Sequence, residues 1–364
     1  AIPRQTELIQ LVTQIQNYIS QPPPSENAKA QLDAFAEKAH AVYQQLLDPM
    51  LQQFPESIQR LMIIPDDFLS YIPYDLLLRN SLEKMNKTFT LEDTYLLQKY
   101  ALSYHYSASF LLQQNPQSRA SQRLVFAGFA PSFGETQKAN KSRSVRVCTD
   151  DQLYSLSCND QEVAAIQQLL KGDVFYRKQA SKANFQAQSN QYQIIHLATH
   201  ACVDEADPML SKIYFTDDPL SNYDLYQLDL QADLAVLSAC NTGSGKLVKG
   251  EGIMSLARAF LQAGCPSVLM SLWSVDDCAT AEVMQHFYQQ IIDGKSKDEA
   301  LRQAKLNYLA AADRLHLHPY YWSAFVPFGD QQALQLAYGW GGKWPFLLGL
   351  TVVLLLLGWW RFGS

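Results

Sequence analysis

Residues 233–243 read DLAVLSACNTG and residues 192–200 read YQIIHLATH, and these two stretches decide the fold. Each begins as a short apolar run, which is typical of a buried strand in a parallel sheet. One run ends at Cys240 and the other at His200. The carboxyl ends of neighbouring parallel strands meet at one edge of a sheet, where α/β proteins place their sites. We therefore predict an imidazole beside a thiol at this edge, which is the pairing that a cysteine nucleophile needs.

Around these stretches, strand-like and helix-like segments alternate through most of residues 61–329. The alternation predicts an α/β fold, a mostly parallel sheet with helices on both faces. The predicted strands are 61–64, 124–129, 174–176, 192–197, 234–237, 267–273 and 322–327, and the predicted helices are 162–170, 180–188, 251–262, 280–292 and 297–311. Two further helices are predicted before the sheet, at 7–19 and 27–47. They are compatible with the last repeat of a helical array, although one pair cannot establish a period.

Composition excludes several classes of protein. Of the 364 residues, 48% are apolar and 18% are charged, which excludes global disorder. The 29 basic and 35 acidic residues give a net charge of −6, so no basic field predicts nucleic acid as a partner. Six cysteines are scattered along the chain without a CxxC pair, at positions 148, 158, 202, 240, 265 and 278. We expect them to be reduced thiols, as in the cytosol.

The C-terminal run at 344–360, WPFLLGLTVVLLLLGWW, carries no charge and has tryptophans at both ends. Seventeen helical residues span ~25 Å, near the lower limit for a bilayer core of ~30 Å. We predict a transmembrane helix at 344–361 after a juxtamembrane linker at 331–343, with a buried core helix as the alternative. Because the N-terminus has no signal peptide, we expect a single-pass anchor with the preceding domain in the cytoplasm. Since the chain opens in mid-helix without Met, we expect it to be a piece of a longer protein.

His196 and His200 form an H-x-x-x-H pattern that invites a zinc interpretation. The zinc-protease signature needs Glu at position 197 and a helix, whereas Leu197 occupies that position in a strand-like run. We therefore expect no metal, and we predict that His196 is a hydrogen-bonded interior histidine.

The GSGK stretch at 243–246 invites a phosphate-loop interpretation. That loop needs a Gly where Cys240 stands and a Ser or Thr where Leu247 stands, so the match fails at both positions. We expect no nucleotide or other cofactor. His316 and His318 are predicted to pack or cap near the last strand.

Several motifs in the same order resemble one known family. The stretches HLATH, LSACNTG, GEGIMSLARAFLQAGCPSVLMSLWSVDD and HPYYWSAFVPFGD look like those of the CHAT family, caspase-like cysteine peptidases of the clan of caspases and separase. LMIIPDDFLSYIPYDLLL and LVFAGFAP resemble the family's N-terminal portion, so the similarity runs from about residue 40 to 330. With the apolar C-terminal run, the chain resembles a bacterial, membrane-anchored member. The resemblance implies N-terminal helices at 1–47, an N-terminal half at 48–190 and a catalytic caspase-like half at 191–330.

The resemblance also implies the chemistry. His200 matches the catalytic histidine and Cys240 the nucleophile of a cysteine endopeptidase, and the backbone N–H groups of Ala201 and Cys240 would form the oxyanion hole. The family has Gly where Ala201 stands. If this position requires a backbone angle that only glycine adopts readily, alanine there is strained. Family members often follow helical repeats, which implies a partner-sensing region upstream.

The substrate is predicted only as a protein or peptide. Acidic residues follow both strands, at Asp204, Glu205 and Asp207 and at Asp276 and Asp277. Asp276 is the candidate for a pocket that takes a basic side chain, although loop charges facing solvent are the simpler interpretation. The alternative function is a catalytically silent, membrane-tethered interaction module, for which Ala201 is the main argument.

Overall fold

The computed structural model describes residues 5–23, 28–81, 94–113, 123–133, 153, 155–204, 207–238, 252–273 and 277–337. Two amphipathic helices open it, α1 (Gln5–Ile19) and α2 (Ala28–Leu46), as the sequence predicts. Tyr18 of α1 stacks on Phe35 of α2 at 4.8 Å between ring centroids and lies 4.4 Å from the ring of His318. The helical pair therefore packs on the sheet domain.

The remaining helices lie between and beside the strands. They are α3 (Asp48–Leu51), α4 (Ala108–Gln113), α5 (Asn159–Leu170), α6 (Lys182–Gln188), α7 (Asn222–Leu225), α8 (Gly252–Gln262), α9 (Asp277–Ile292), α10 (Lys297–Ala311) and α11 (Pro319–Trp322). The strands are β1 (Arg60–Ile63), β2 (Ala101–Tyr104), β3 (Leu124–Ala130), β4 (Asp173–Tyr176), β5 (Tyr192–Ala198), β6 (Ala201–Cys202), β7 (Lys212–Ile213), β8 (Leu220–Ser221), β9 (Leu234–Ser238), β10 (Ser267–Ser271) and β11 (Phe325–Gly329).

Eight strands form one sheet in the order β1-β2-β11-β10-β9-β5-β3-β4. All neighbouring pairs are parallel except β10 and β11, which are antiparallel. The sheet thus consists of a five-strand block (β10, β9, β5, β3 and β4) and a three-strand block (β1, β2 and β11). Every residue of β5 and of β9 is buried, as expected for strands of a parallel sheet that helices cover on both faces. Such burial explains why both strands are continuous, mainly apolar runs in the sequence. This confirms the mostly parallel α/β fold.

One predicted strand is shifted in the structure, and one small sheet is additional to the prediction. The strand predicted at 322–327 is shifted to β11, and the helical turn α11 precedes it. Pro319 opens this turn and His318 caps it, a combination that starts a helix rather than a strand. A second, three-stranded antiparallel sheet of β6, β7 and β8 was not predicted, because strands of two residues carry no readable alternation.

Strands of the 48–190 segment and of the 191–330 segment enter the same sheet, and the division into halves stays a prediction. Within the ranges that the structure describes, no helix combines the length and the apolar character needed to cross a bilayer. The predicted span at 344–361 lies outside those ranges.

Candidate active site

The end of strand β5 carries His200 and is held by the strand pair that follows it. Thr199 Oγ1 donates to the carbonyl of Tyr214 at 2.6 Å, and the Tyr214 N–H donates to the carbonyl of His200 at 2.9 Å. The ring of His200 lies 5.5 Å from that of Phe133, and the residue is buried. His200 therefore stands on a fixed backbone directly beyond the sheet.

The end of strand β9 lies level with the end of β5. In the parallel register of the two strands, Ala198 is the partner of Ser238. His200 follows Ala198 by two residues, and Cys240 follows Ser238 by two residues. The two strands that the sequence predicts as neighbours are thus neighbours. Cys240 itself, including its predicted oxyanion N–H, lies outside the described residues, and so does Asp276.

Ala201 is the residue predicted to supply the other oxyanion N–H. It is the partner of Ile213 in the antiparallel pair β6–β7. Because the Tyr214 N–H donates to the His200 carbonyl, Ala201 and Ile213 form a non-hydrogen-bonded pair, so the Ala201 N–H points away from β7. Among the described non-glycine residues, positive φ occurs at Asp67, Lys171 and Arg177 and not at Ala201. The Ala201 backbone in this structure is therefore one that alanine adopts freely.

Beneath this edge lies a buried polar cluster that we call the site-edge cluster: Glu162, His196, Ser238 and Tyr288. Ser238 Oγ donates to Glu162 Oε1 at 2.6 Å. His196 Nε2 lies 3.1 Å from the same oxygen, close enough for an ion pair but without hydrogen-bond alignment. His196 Nδ1 lies 3.0 Å from the hydroxyl of Tyr288. The prediction that His196 is a hydrogen-bonded interior histidine is confirmed.

The proton positions in the site-edge cluster follow from its burial. Burial raises the pKa of Tyr288 well above its ordinary value, and the Glu162 carboxylate raises it further. The phenol therefore keeps its proton. Because Nε2 of His196 faces the Glu162 carboxylate, the tautomer that suits this contact carries the ring proton on Nε2, and Nδ1 then accepts from the Tyr288 hydroxyl. Glu162 was not among the residues predicted for the site. The helical periodicity could have indicated it, because Glu162 lies on the same helix face as Val163, Ile166 and Leu170, which are buried.

The prediction of reduced cysteines is wrong for Cys158, Cys202 and Cys278 and is confirmed for Cys265, whereas Cys148 and Cys240 lie outside the described residues. Cys158 and Cys278 form a disulfide across 120 positions of sequence, and Cys202 is disulfide-bonded as well. Cys265 is a free, buried thiol. Cys158 directly precedes α5 and Cys278 lies in the first turn of α9, so it is the packing of these two helices that brings the sulfurs together.

The acidic residues after His200 stabilise their own loop. Asp204 Oδ1 accepts the N–H of Asp207 at 2.9 Å, and Asp207 Oδ1 accepts the N–H of Met209 at 3.1 Å. Such side-chain contacts to nearby backbone are typical of turns and not of a substrate pocket.

The histidines near the last strand pack and cap, as predicted. His318 Nδ1 accepts the N–H of Tyr320 at 3.2 Å, and burial lowers the pKa of His318 to about 4. His316 lies against Asp313 at 2.8 Å and against the ring of Tyr321 at 4.8 Å.

Comparison with known proteins gives distant relatives. Tetratricopeptide repeat protein 28 of Mus musculus and that of Homo sapiens are each 31% identical over 115 residues, 32% of this chain. The chain spans only 5% of the mouse protein and 4% of the human one.

Among solved structures, the Arg-specific cysteine proteinase gingipain R aligns with a TM-score of 0.47 and 8% identity, over 91% of this chain and 75% of that one. The Saccharomyces cerevisiae separase–securin complex aligns with a TM-score of 0.44 and 12% identity, over 90% of this chain and 22% of that one. The model of the CHAT domain matches residues 36–330, well over half of the chain. The chain therefore belongs to the CHAT domain family.

Proposed function

We propose that this chain is a cysteine endopeptidase that hydrolyses a peptide bond through a Cys240–His200 dyad. The observation that carries the proposal is the register of β5 and β9. It pairs Ala198 with Ser238, so the two residues of the dyad follow aligned positions by the same number of residues. Membership of a family that resembles the caspase-like peptidases agrees with this chemistry.

In the proposed reaction, the Cys240 sulfur attacks the carbonyl carbon of the scissile peptide bond. His200 takes the thiol proton, and the N–H groups of Ala201 and Cys240 donate to the oxyanion that forms. Collapse of this intermediate breaks the C–N bond, and His200 returns the proton to the leaving amine. Water, deprotonated by His200, then hydrolyses the acyl-enzyme and frees the thiol.

A thiol-reactive peptide probe tests this proposal. We expect covalent labelling of the wild type, loss of labelling in Cys240→Ala, and strongly reduced labelling in His200→Ala. Cys265→Ala is the matched control, since Cys265 is a free thiol that is buried, whereas Cys202 and Cys278 are disulfide-bonded. Retained labelling in a folded Cys240→Ala variant would refute the dyad.

The second candidate function is a silent interaction module that uses the same fold as a scaffold. It rests on Ala201, where the family that the sequence resembles has Gly. If wild type and Cys240→Ala are equally inert toward a panel of peptide probes, this second function takes the place of the first.

The substrate pocket remains a proposal on sequence grounds. We assign Asp276 to it because the residue follows β10, the strand that flanks β9 on the side away from β5. The charge of an aspartate there would select a basic side chain before the scissile bond. Asp276→Asn should lower kcat/KM for a peptide with Arg at that position and leave a matched Gln peptide unchanged.

We also propose that the apolar run at 344–361 anchors the domain in a membrane and that α1 and α2 end a helical-repeat region that senses a partner. The cytoplasmic location predicted from the sequence conflicts with the Cys158–Cys278 disulfide, because structural disulfides persist in oxidising compartments. We therefore place the domain on the oxidising side of the membrane.

Both parts of this placement are testable. Deletion of the residues after Lys343 should release the domain from the membrane fraction. Rapid alkylation of intact cells should find Cys158 and Cys278 oxidised. If the truncated chain stays with the membranes, the anchor assignment is wrong, and if both thiols are alkylated without reduction, the placement is wrong.

A further inference from the structure

Helix α5 begins at the sheet edge where β5 and β9 end, and its first residue contacts the end of β5. Asn159 Nδ2 donates to the carbonyl of Ala198 at 3.4 Å and to the carbonyl of Pro131, beyond β3, at 3.0 Å. Asn159 is buried. The backbone two residues before His200 is therefore tied to α5.

One turn along the same helix, Glu162 contacts the end of β9. Its carboxylate accepts the Ser238 hydroxyl at 2.6 Å, and both residues are less than 5% exposed. A short bond from a hydroxyl to a carboxylate is among the stronger hydrogen bonds in proteins. The backbone two residues before Cys240 is therefore tied to α5 as well.

We propose that Glu162 is a positioning residue for the Cys240–His200 pair, with α5 setting the two strand ends relative to each other. The inference rests on the proposed function. The remainder of the site-edge cluster supports it, because His196 contacts the same Glu162 oxygen and Tyr288 of α9 fixes the His196 ring. Without the carboxylate, Ser238 loses its acceptor and the end of β9 loses its contact with α5.

Substitution of Glu162 would lower the free energy of unfolding even if the residue had only a structural role. A measurement of stability therefore does not test the proposal. The pKa of the Cys240 thiol does test the proposal, because this pKa depends on the distance from the thiol to His200. A thiol beside an imidazole titrates below its ordinary value of about 8.5. Iodoacetamide alkylation across a pH series, read at the Cys240 peptide by mass spectrometry, measures this pKa without any substrate.

The variants are Ser238→Ala, which deletes the donor, and Glu162→Leu, which deletes the acceptor. Both should move the alkylation pKa toward about 8.5, the value expected for His200→Ala. For peptide cleavage, both should lower kcat about tenfold with KM nearly unchanged, because a displaced nucleophile slows the chemical step. Glu162→Gln keeps an oxygen acceptor and should stay closer to wild type.

Asp160→Asn is the matched control, since it removes an equal charge from the same first turn of α5 without reaching the site-edge cluster. It should leave the alkylation profile unchanged. If Ser238→Ala is folded and keeps both the wild-type profile and kcat, the positioning role is refuted while the dyad stands. If the wild type already titrates like His200→Ala, the dyad and the positioning role both fail.

Discussion

Two buried polar clusters among the described residues differ in what they connect. The site-edge cluster joins the Glu162 carboxylate to Ser238 at the end of β9 and to His196 within β5. The second, which we call the Lys305 cluster, joins the ammonium of Lys305 to Asp75 and to the carbonyls of Ser323 and Phe325. The first cluster lies beneath the edge where β5 and β9 end, and the second lies beside the start of β11.

The difference follows from the length of chain that each cluster bridges. Lys305 and Asp75 are 230 positions apart, and their contact ties α10 and β11 to the N-terminal part of the sheet domain. Burial raises the pKa of Asp75 and lowers that of Lys305, and their mutual attraction opposes both shifts. Removal of one partner of a buried ion pair is strongly destabilising, because the remaining charge is left buried without its partner. We therefore expect the Lys305 cluster to control stability and the site-edge cluster to control the position of the nucleophile.

The largest expected effect comes from Lys305→Met. Removal of the ammonium leaves the Asp75 carboxyl buried without its partner, and such losses cost about 3–5 kcal/mol in the free energy of unfolding. Urea denaturation measures the loss, and the alkylation profile of Cys240 in the folded fraction should not move. The double variant Lys305→Met, Asp75→Leu should recover most of the stability. A loss below about 1 kcal/mol in the single variant would contradict this interpretation.

The next effect in size belongs to the Cys158–Cys278 disulfide, which joins the residue before α5 to the first turn of α9. These helices supply Glu162 and Tyr288 to the site-edge cluster. Because the bond closes a loop of about 120 residues, replacing both cysteines by Ala should cost about 2–4 kcal/mol. In urea denaturation, a reductant should lower the stability of the wild type more than that of the double variant, because only the wild type has the Cys158–Cys278 bond to lose, while both contain the disulfide of Cys202. If the reductant does not lower wild-type stability, the disulfide does not stabilise the fold.

A third buried group, His318, connects the sheet domain to the N-terminal helices through Tyr18. Burial lowers its pKa to about 4, while the unfolded chain titrates near about 6.5. The unfolded state thus binds more protons between these values, so the stability contributed by neutral His318 is present above pH ~6.5 and is lost as the pH falls toward ~4. The loss is at most about 3.4 kcal/mol, because about 1.4 kcal/mol is lost for each pH unit between these two values.

His318→Asn keeps a side-chain acceptor for the Tyr320 N–H and removes the titration. The difference in unfolding free energy between pH 7 and pH 4.5 should therefore be smaller in this variant than in the wild type. Equal differences would show that another group carries the pH dependence.

Much of this architecture was predictable because its signals are local. The apolar runs that became β5 and β9 are continuous and end in polar residues, and the helix predicted at 297–311 has the bounds of α10. Both clusters, in contrast, depend on pairings between distant positions. Glu162 and Ser238 are 76 positions apart and Asp75 and Lys305 are 230 positions apart, so no local spacing in the sequence indicates either contact.

For the candidate site, the sequence supplied the residue types and the strand ends, and the register supplied their alignment. Nothing in the two apolar runs indicates that Ala198 pairs with Ser238. The concern about Ala201 came from the family that the sequence resembles, and only the backbone angles address it.

The smallest expected effect is that of Ala201→Gly, which tests the candidate site and not the Lys305 cluster. If the reaction needed a backbone angle that only glycine adopts, this variant would be faster than the wild type. Ala201 lies in strand β6 without positive φ, and it is buried. Glycine there adds backbone freedom to the unfolded chain, so we expect a loss of about 0.5–1 kcal/mol in unfolding free energy and no gain in kcat/KM.

Ala127→Gly, in the buried strand β3, is the control for the stability effect alone. A several-fold rise in kcat/KM for Ala201→Gly, absent from Ala127→Gly, would show that the oxyanion N–H must reorient during catalysis and that Ala201 limits the rate.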